Sequence, residues 1–153
     1  ANPAFSVSVQ AEDFNVASEQ QALLQGSCEE GAVSTFTGYV RRENSGAKVD
    51  AMELEHYPGM TEKKLLEILQ SSAERWPLLA GRIVHRVGHL GPGDQIVWIG
   101  VSSRHREAAH NACEFLMDFL KTKAPFWKKE FGPGGEKWVD ARASDNQRTE
   151  RWN

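Results

Sequence analysis

The chain has 153 residues, 40% of them apolar, and a formal net charge of −3 at pH 7. This length suits one domain, 1–153, able to bury about 70% of its unfolded surface without a disulfide or metal staple. The slightly acidic balance excludes a general polyanion binder, so any anion site must be local.

In chain order, residues 5–9 (FSVSV) alternate and predict a short strand. A weak apolar pattern through Leu23 and Leu24 predicts a short helix over 16–25. Residues 32–40 (AVSTFTGYV), rich in β-branched and aromatic side chains, predict a strand. The Asn-Ser-Gly centre of RRENSGAKVD reads as a flexible loop. Residues 51–57 alternate Met52, Leu54 and His56 against Glu53, Glu55 and Tyr57, as in a half-buried strand. From Thr61, the stripe Leu65, Leu66, Ile68, Leu69 and Ala73 predicts a helix that Pro77 stops.

RIVHRVG, 82–88, reads as a strand and HLGPGD as a turn. QIVWIGV, 95–101, is nearly all apolar and fits a central strand. Ser102 and Ser103 offer N-caps to a helix over about 104–121, whose buried face runs from Ala108 to Leu120. Pro125 prevents its continuation. A turn at 132–135 and a short strand about Trp138 follow, then a polar terminus carrying Trp152. The sum is an α+β two-layer sandwich: a largely antiparallel sheet with helices on one face, plus an irregular basic tail or small β subdomain.

The two cysteines, Cys28 and Cys113, form no CxxC and no staple framework, which points to a reducing, cytoplasmic setting. Cys113 sits among apolar neighbours and reads as a small buried hydrophobe; Cys28, in GSCEEG, reads as exposed. No apolar run approaches the roughly 18 residues of a membrane span, and the first ten residues do not read as a secretory signal.

The glycine-rich stretches lack the lysine or the strand-to-helix context of a phosphate loop. No HExxH or closed Cys/His set appears, so neither metal nor bound cofactor is expected. His56 and His85 read as structural histidines. Three basic features stand out. Gly38-Tyr39-Val40-Arg41-Arg42 closes a strand with two arginines, which fits either an anion contact or a charged loop edge. SRHRE, 103–107, puts His105 and Arg106 at a helix start, where free N–H groups attract anions. KTKAPFWKK, 121–129, holds four lysines around a Phe-Trp pair. That stretch fits a solvated loop, an anion site, or a lysine set near other cations for acid-base work; a nucleic-acid contact is a further reading, against which the acidic balance and the lack of an RNA-binding signature argue. These patterns leave the choice open.

GAVSTFTGYVRR, LEHYPGM, RWPL, HRVG, SSRHREAAHNACEFLMDFLKTKAPFWKKE and the final RW together resemble the catalytic, large subunit of molybdopterin synthase. The likeness runs from about residue 31 to the end. It implies a sulfurtransferase that converts cyclic pyranopterin monophosphate to molybdopterin. It also implies a small ubiquitin-like partner bearing sulfur as a C-terminal glycine thiocarboxylate, and a central homodimer within a heterotetramer. No nucleic-acid or membrane partner is implied.

Carried over by resemblance, Lys121 and Lys128 are the catalytic pair. Tyr39, Val40, Arg41, His105, Arg106, Lys121, Lys128, Lys129, Glu130 and Arg142 form the substrate-binding set. Tyr39 stands where some relatives have lysine. Two other readings stay open from the residues: a silent scaffold that binds the same small subunit, and an unrelated phosphate-ester transferase with the same basic pocket.

Overall fold

The computed structural model describes residues 3–139 and 143–153. Its first sheet contains β1 (Ala4–Gln10), β2 (Ala32–Tyr39), β6 (Ala80–Arg86) and β8 (Gln95–Ser103), in the order β1-β6-β8-β2. β1 runs parallel to β6, and the β6–β8 and β2–β8 pairs are antiparallel. On one face lie α2 (Met60–Arg75) and α3 (Arg106–Lys123). Alternation along β8 explains the layering. Val97, Ile99 and Val101 join Leu65, Leu69, Ala112 and Leu116 in the main core. The intervening Trp98 points the other way, where it packs with Val84 and Leu23.

Leu23 ends α1 (Val16–Leu23), whose start Asn15 caps through the Ser18 amide. α1 therefore covers the face opposite α2 and α3. The expectation of helices on one face holds for the two long helices; the short helix expected over 16–25 forms as α1 but lies on the other face, which corrects that part.

A second, antiparallel sheet has the order β10-β9-β5-β7, from β5 (Ala51–His56), β7 (Gly88–Leu90), β9 (Phe126–Gly132) and β10 (Gly135–Val139). It is the β subdomain, and it corrects the irregular tail. Residues 126–132 form a strand because β5 offers a complete edge, with Leu54 opposite Lys128 and Glu53 opposite Lys129. Its underside buries Met52, Leu54 and Leu90 with Val40.

Other boundaries shift for local reasons. The 41–50 loop contains a hairpin of β3 (Glu43–Asn44) and β4 (Ala47–Lys48). Its turn residues Ser45 and Gly46 have φ of 53° and 81°, the left-handed pair that a tight hairpin requires. The first two residues of the HLGPGD turn, His89 and Leu90, belong to β7. Ser102 and Ser103 are buried at the end of β8 and do not cap α3; His105 takes the cap position without a side-chain hydrogen bond. Gly31 lies so close to this connection that a Cβ would sit 2.0 Å from the Arg104 carbonyl oxygen.

The terminus carries an unexpected helix, α4 (Ala143–Glu150), followed by a latch. Arg151 binds Asp118 at 2.7 Å and Glu114 at 2.6 Å, and the Trp152 indole N–H donates to Asp118 at 2.7 Å. Cys113 is buried, its thiol pushed up to about 11 by that burial, whereas Cys28 is exposed. Among the described residues no helix is long and apolar enough to cross a membrane.

Candidate active site

Where the two sheets meet the C-terminal end of α3, they enclose a cavity of about 630 Å³. This is within the size range of small-molecule sites. Each wall has a sequence reason. α3 brings Met117 and Lys121 to the rim by i, i+4 spacing. β2 contributes Phe36 and Tyr39, and Arg41 follows it. β9 contributes Phe126, Lys128 and Glu130, the alternate residues of one strand face.

Arg41, Lys121 and Lys128 thus converge from three separate chain segments. The floor holds a polar string. Lys128 Nζ lies 3.8 Å from Glu130 Oε2, and the same oxygen accepts from Asn44 Nδ2 at 2.8 Å. Asn44 Oδ1 in turn lies 3.5 Å from an Arg41 guanidinium nitrogen. Glu130 is buried with only 6% exposed, so these donors offset the cost of desolvating it. The effect is to tie two cations to one fixed framework while the rim stays open. No ion pair is formed by Lys121 among the described residues.

His85 also lines the cavity, buried and stacked on Phe126 at 3.8 Å between ring centroids. Burial above all, then the charges of Lys121 and His56, lower its pKa to about 4, against the raising effect of the Arg86 carbonyl. The ring is neutral at physiological pH.

Five residues of the expected set line this cavity: Tyr39, Arg41, Lys121, Lys128 and Glu130. Val40 turns inward to the second sheet's core. Lys129, next along β9, faces the opposite side, 3.2 Å from Glu136 and over the Trp138 ring at 4.8 Å. His105 and Arg106 are exposed at the other end of α3, about 22 Å from Lys121 along the helix axis. Arg142 lies outside the described residues. Sequence reasoning passed over Asn44, whose loop placement hid it, and assigned His85 a purely structural part. The alternation His85-Arg86-Val87 carries no signal of what the ring faces.

The family model described as MoaE protein matches residues 9–123. The molybdopterin synthase catalytic subunit of Vibrio cholerae is 59% identical over 146 residues, 95% of this chain and 97% of that protein. Its Escherichia coli counterpart is 53% identical over 139 residues, 91% and 92% of the two chains. The solved structure of a molybdopterin biosynthesis MoaE protein from Burkholderia ambifaria superposes with a TM-score of 0.83 at 49% identity, covering 96% of this chain and 97% of that one. The chain belongs to the MoaE protein family and is an enzyme of the molybdopterin synthase catalytic-subunit type.

Proposed function

We propose that the cavity carries out sulfur transfer to cyclic pyranopterin monophosphate, with a small ubiquitin-like subunit delivering sulfur as its C-terminal thiocarboxylate. The observation that carries this reading is the convergence of Lys121, Lys128 and Arg41 on one open hollow. Both ligands are anions, and fixed cations bind them without reorganising during the reaction. The cavity volume is in the range of small-molecule sites. The relatives' name, a catalytic subunit, is also that of one chain among others.

Lys121 assists proton transfer as the thiocarboxylate sulfur attacks a substrate carbon and a carbon–oxygen bond of the cyclic phosphate breaks; water then hydrolyses the resulting thioester, which leaves the sulfur on the pterin and the tail as a carboxylate. Lys128 stabilises negative charge on the tail carbonyl, held in place by Glu130. Arg41 binds phosphate with its planar fork. His105 and Arg106 serve the cavity of a second copy in a central dimer, because their own helix carries them away from Lys121.

Reconstitution tests this reading. The chain, thiocarboxylated small subunit and cyclic pyranopterin should together yield the dithiolene product. No product from that mixture, or equal turnover without the sulfur-bearing subunit, would overturn it.

A further inference from the structure

His85 belongs to β6, opposite Val97 on β8. Its Nδ1 lies 2.8 Å from the Arg86 carbonyl oxygen. A carbonyl only accepts, so Nδ1 carries the ring proton and Nε2 presents a lone pair. Phe126, stacked at an interplanar angle of 17°, sets the ring plane. Tautomer and orientation are therefore both fixed.

Nε2 has no hydrogen-bond partner among the described residues. It is not sealed in either: among the described residues, the fully buried side-chain atoms without a hydrogen bond belong to His56, Glu62, Trp98 and Ser102. Its open side is the cavity that His85 lines. Lys121 lines the same cavity, and its charge acts on the His85 ring. The two lysines of β9 have carboxylates, Glu130 for Lys128 and Glu136 for Lys129. An ammonium has three donors to satisfy, and Lys121 has no carboxylate among the described residues.

We propose that His85 is a positioning residue for Lys121: its Nε2 accepts a hydrogen bond from the ammonium and aims that amine across the cavity. A carboxylate in this place would orient the amine but cancel the charge that attracts an anionic substrate. A neutral imidazole orients it and leaves the charge intact. The inference rests on the catalytic assignment of Lys121.

Two substitutions separate the ring's two nitrogens. His85→Asn keeps an N–H donor for the Arg86 carbonyl and has nothing at the ε position. His85→Gln restores an acceptor at that position. His85→Phe keeps the stack on Phe126 and is a second acceptor-free variant should the asparagine chain be unstable. Steady-state turnover in the reconstituted reaction should fall about 10–100-fold in the acceptor-free variants, with pterin KM nearly unchanged. Glutamine should restore it to within about tenfold of wild type. On a Lys121→Ala background, His85→Asn should cost nothing further, since the two act as one unit. Wild-type turnover in the acceptor-free variants, failure of glutamine to rescue, or an undiminished further loss on the Lys121→Ala background would each overturn the inference. Normal turnover by Lys121→Ala alone would overturn the Lys121 assignment, and His85's part with it. Loss in Lys121→Ala without loss in His85→Asn would overturn the His85 inference alone.

Discussion

Lys128 and Lys129 are neighbours in sequence and face opposite sides of the second sheet. Lys128 lines the cavity with Glu130; Lys129 lies outside, over the Trp138 ring and beside Glu136. Strand geometry makes them separable in function although the sequence presents them as one basic cluster. Lys128→Ala should lower turnover about 10²-fold by removing a fixed cation from the site. Lys129→Ala should change it by less than about threefold and cost at most about 1 kcal/mol of stability, as expected of a surface pair. Parallel reconstituted assays and urea unfolding check both; equal activity losses would place Lys129 in the site as well.

The separation of Lys121 from Arg106 along α3 leads to a mixing experiment. Lys121→Ala alone should reduce turnover about 10²–10³-fold, and Arg106→Ala should chiefly raise the pterin KM. If each site uses Lys121 of one copy and Arg106 of the other, a mixed dimer has one site with both defects and one intact. Assayed at pterin far below the KM of Arg106→Ala, random exchange of equal amounts should then restore about a quarter of wild-type activity. Activity of the mixture no greater than the mean of the two variants would place both residues in the service of a single chain.

His85 should make stability depend on mild acid. Burial, then Lys121 and His56, hold its folded pKa near 4, below the 6.5 of the free side chain. Between these values the unfolded chain binds a proton that the native chain does not. The stabilisation is complete above pH 6.5 and is lost as pH falls toward 4. The span corresponds to about 3 kcal/mol. Urea unfolding at several pH values should show this slope in the wild type and its loss in His85→Phe. Identical slopes for the two proteins would mean that the ring is not held neutral.

Trp152 should matter to the body of the fold despite its place at the terminus. Its ring meets Trp76 at 5.6 Å and Phe115 at 5.5 Å, both edge-to-face, and its carbonyl accepts from Arg75. Trp152→Ala should cost about 3 kcal/mol. Trp152→Phe, which keeps much of the packing and leaves Arg151 on Asp118, should cost about 1 kcal/mol. Chemical denaturation distinguishes them. An alanine variant as stable as wild type would show that the latch contributes nothing.

Several features were legible in the residues because local physics decides them. The stripe of Leu65, Leu66, Ile68 and Leu69 specifies α2 wherever it packs. The apolar run 95–101 demands burial on both faces, and Trp98 and Ile99 show it, each covered by a different set of helices. The basic character around Pro125 marked a region of interest without its geometry. A side chain on a strand takes its direction from register, and the register of 126–132 is set by β5, some seventy residues away. That long-range pairing sends Lys128 into the cavity and Lys129 out of it.

The sequence by itself determined the family, the main helices and central strands, and the candidate cations, since these follow from periodicity and from motifs that keep their order. Only the tertiary structure decided which candidates meet. The second sheet, the glutamate and asparagine that steady Arg41 and Lys128, and the neutral His85 that lines the same cavity as Lys121 all depend on distant segments coming together. Short-range pattern carries no record of such contacts. The 22-Å reach of α3, about 1.5 Å per residue, is likewise what separates His105 and Arg106 from Lys121 within one chain.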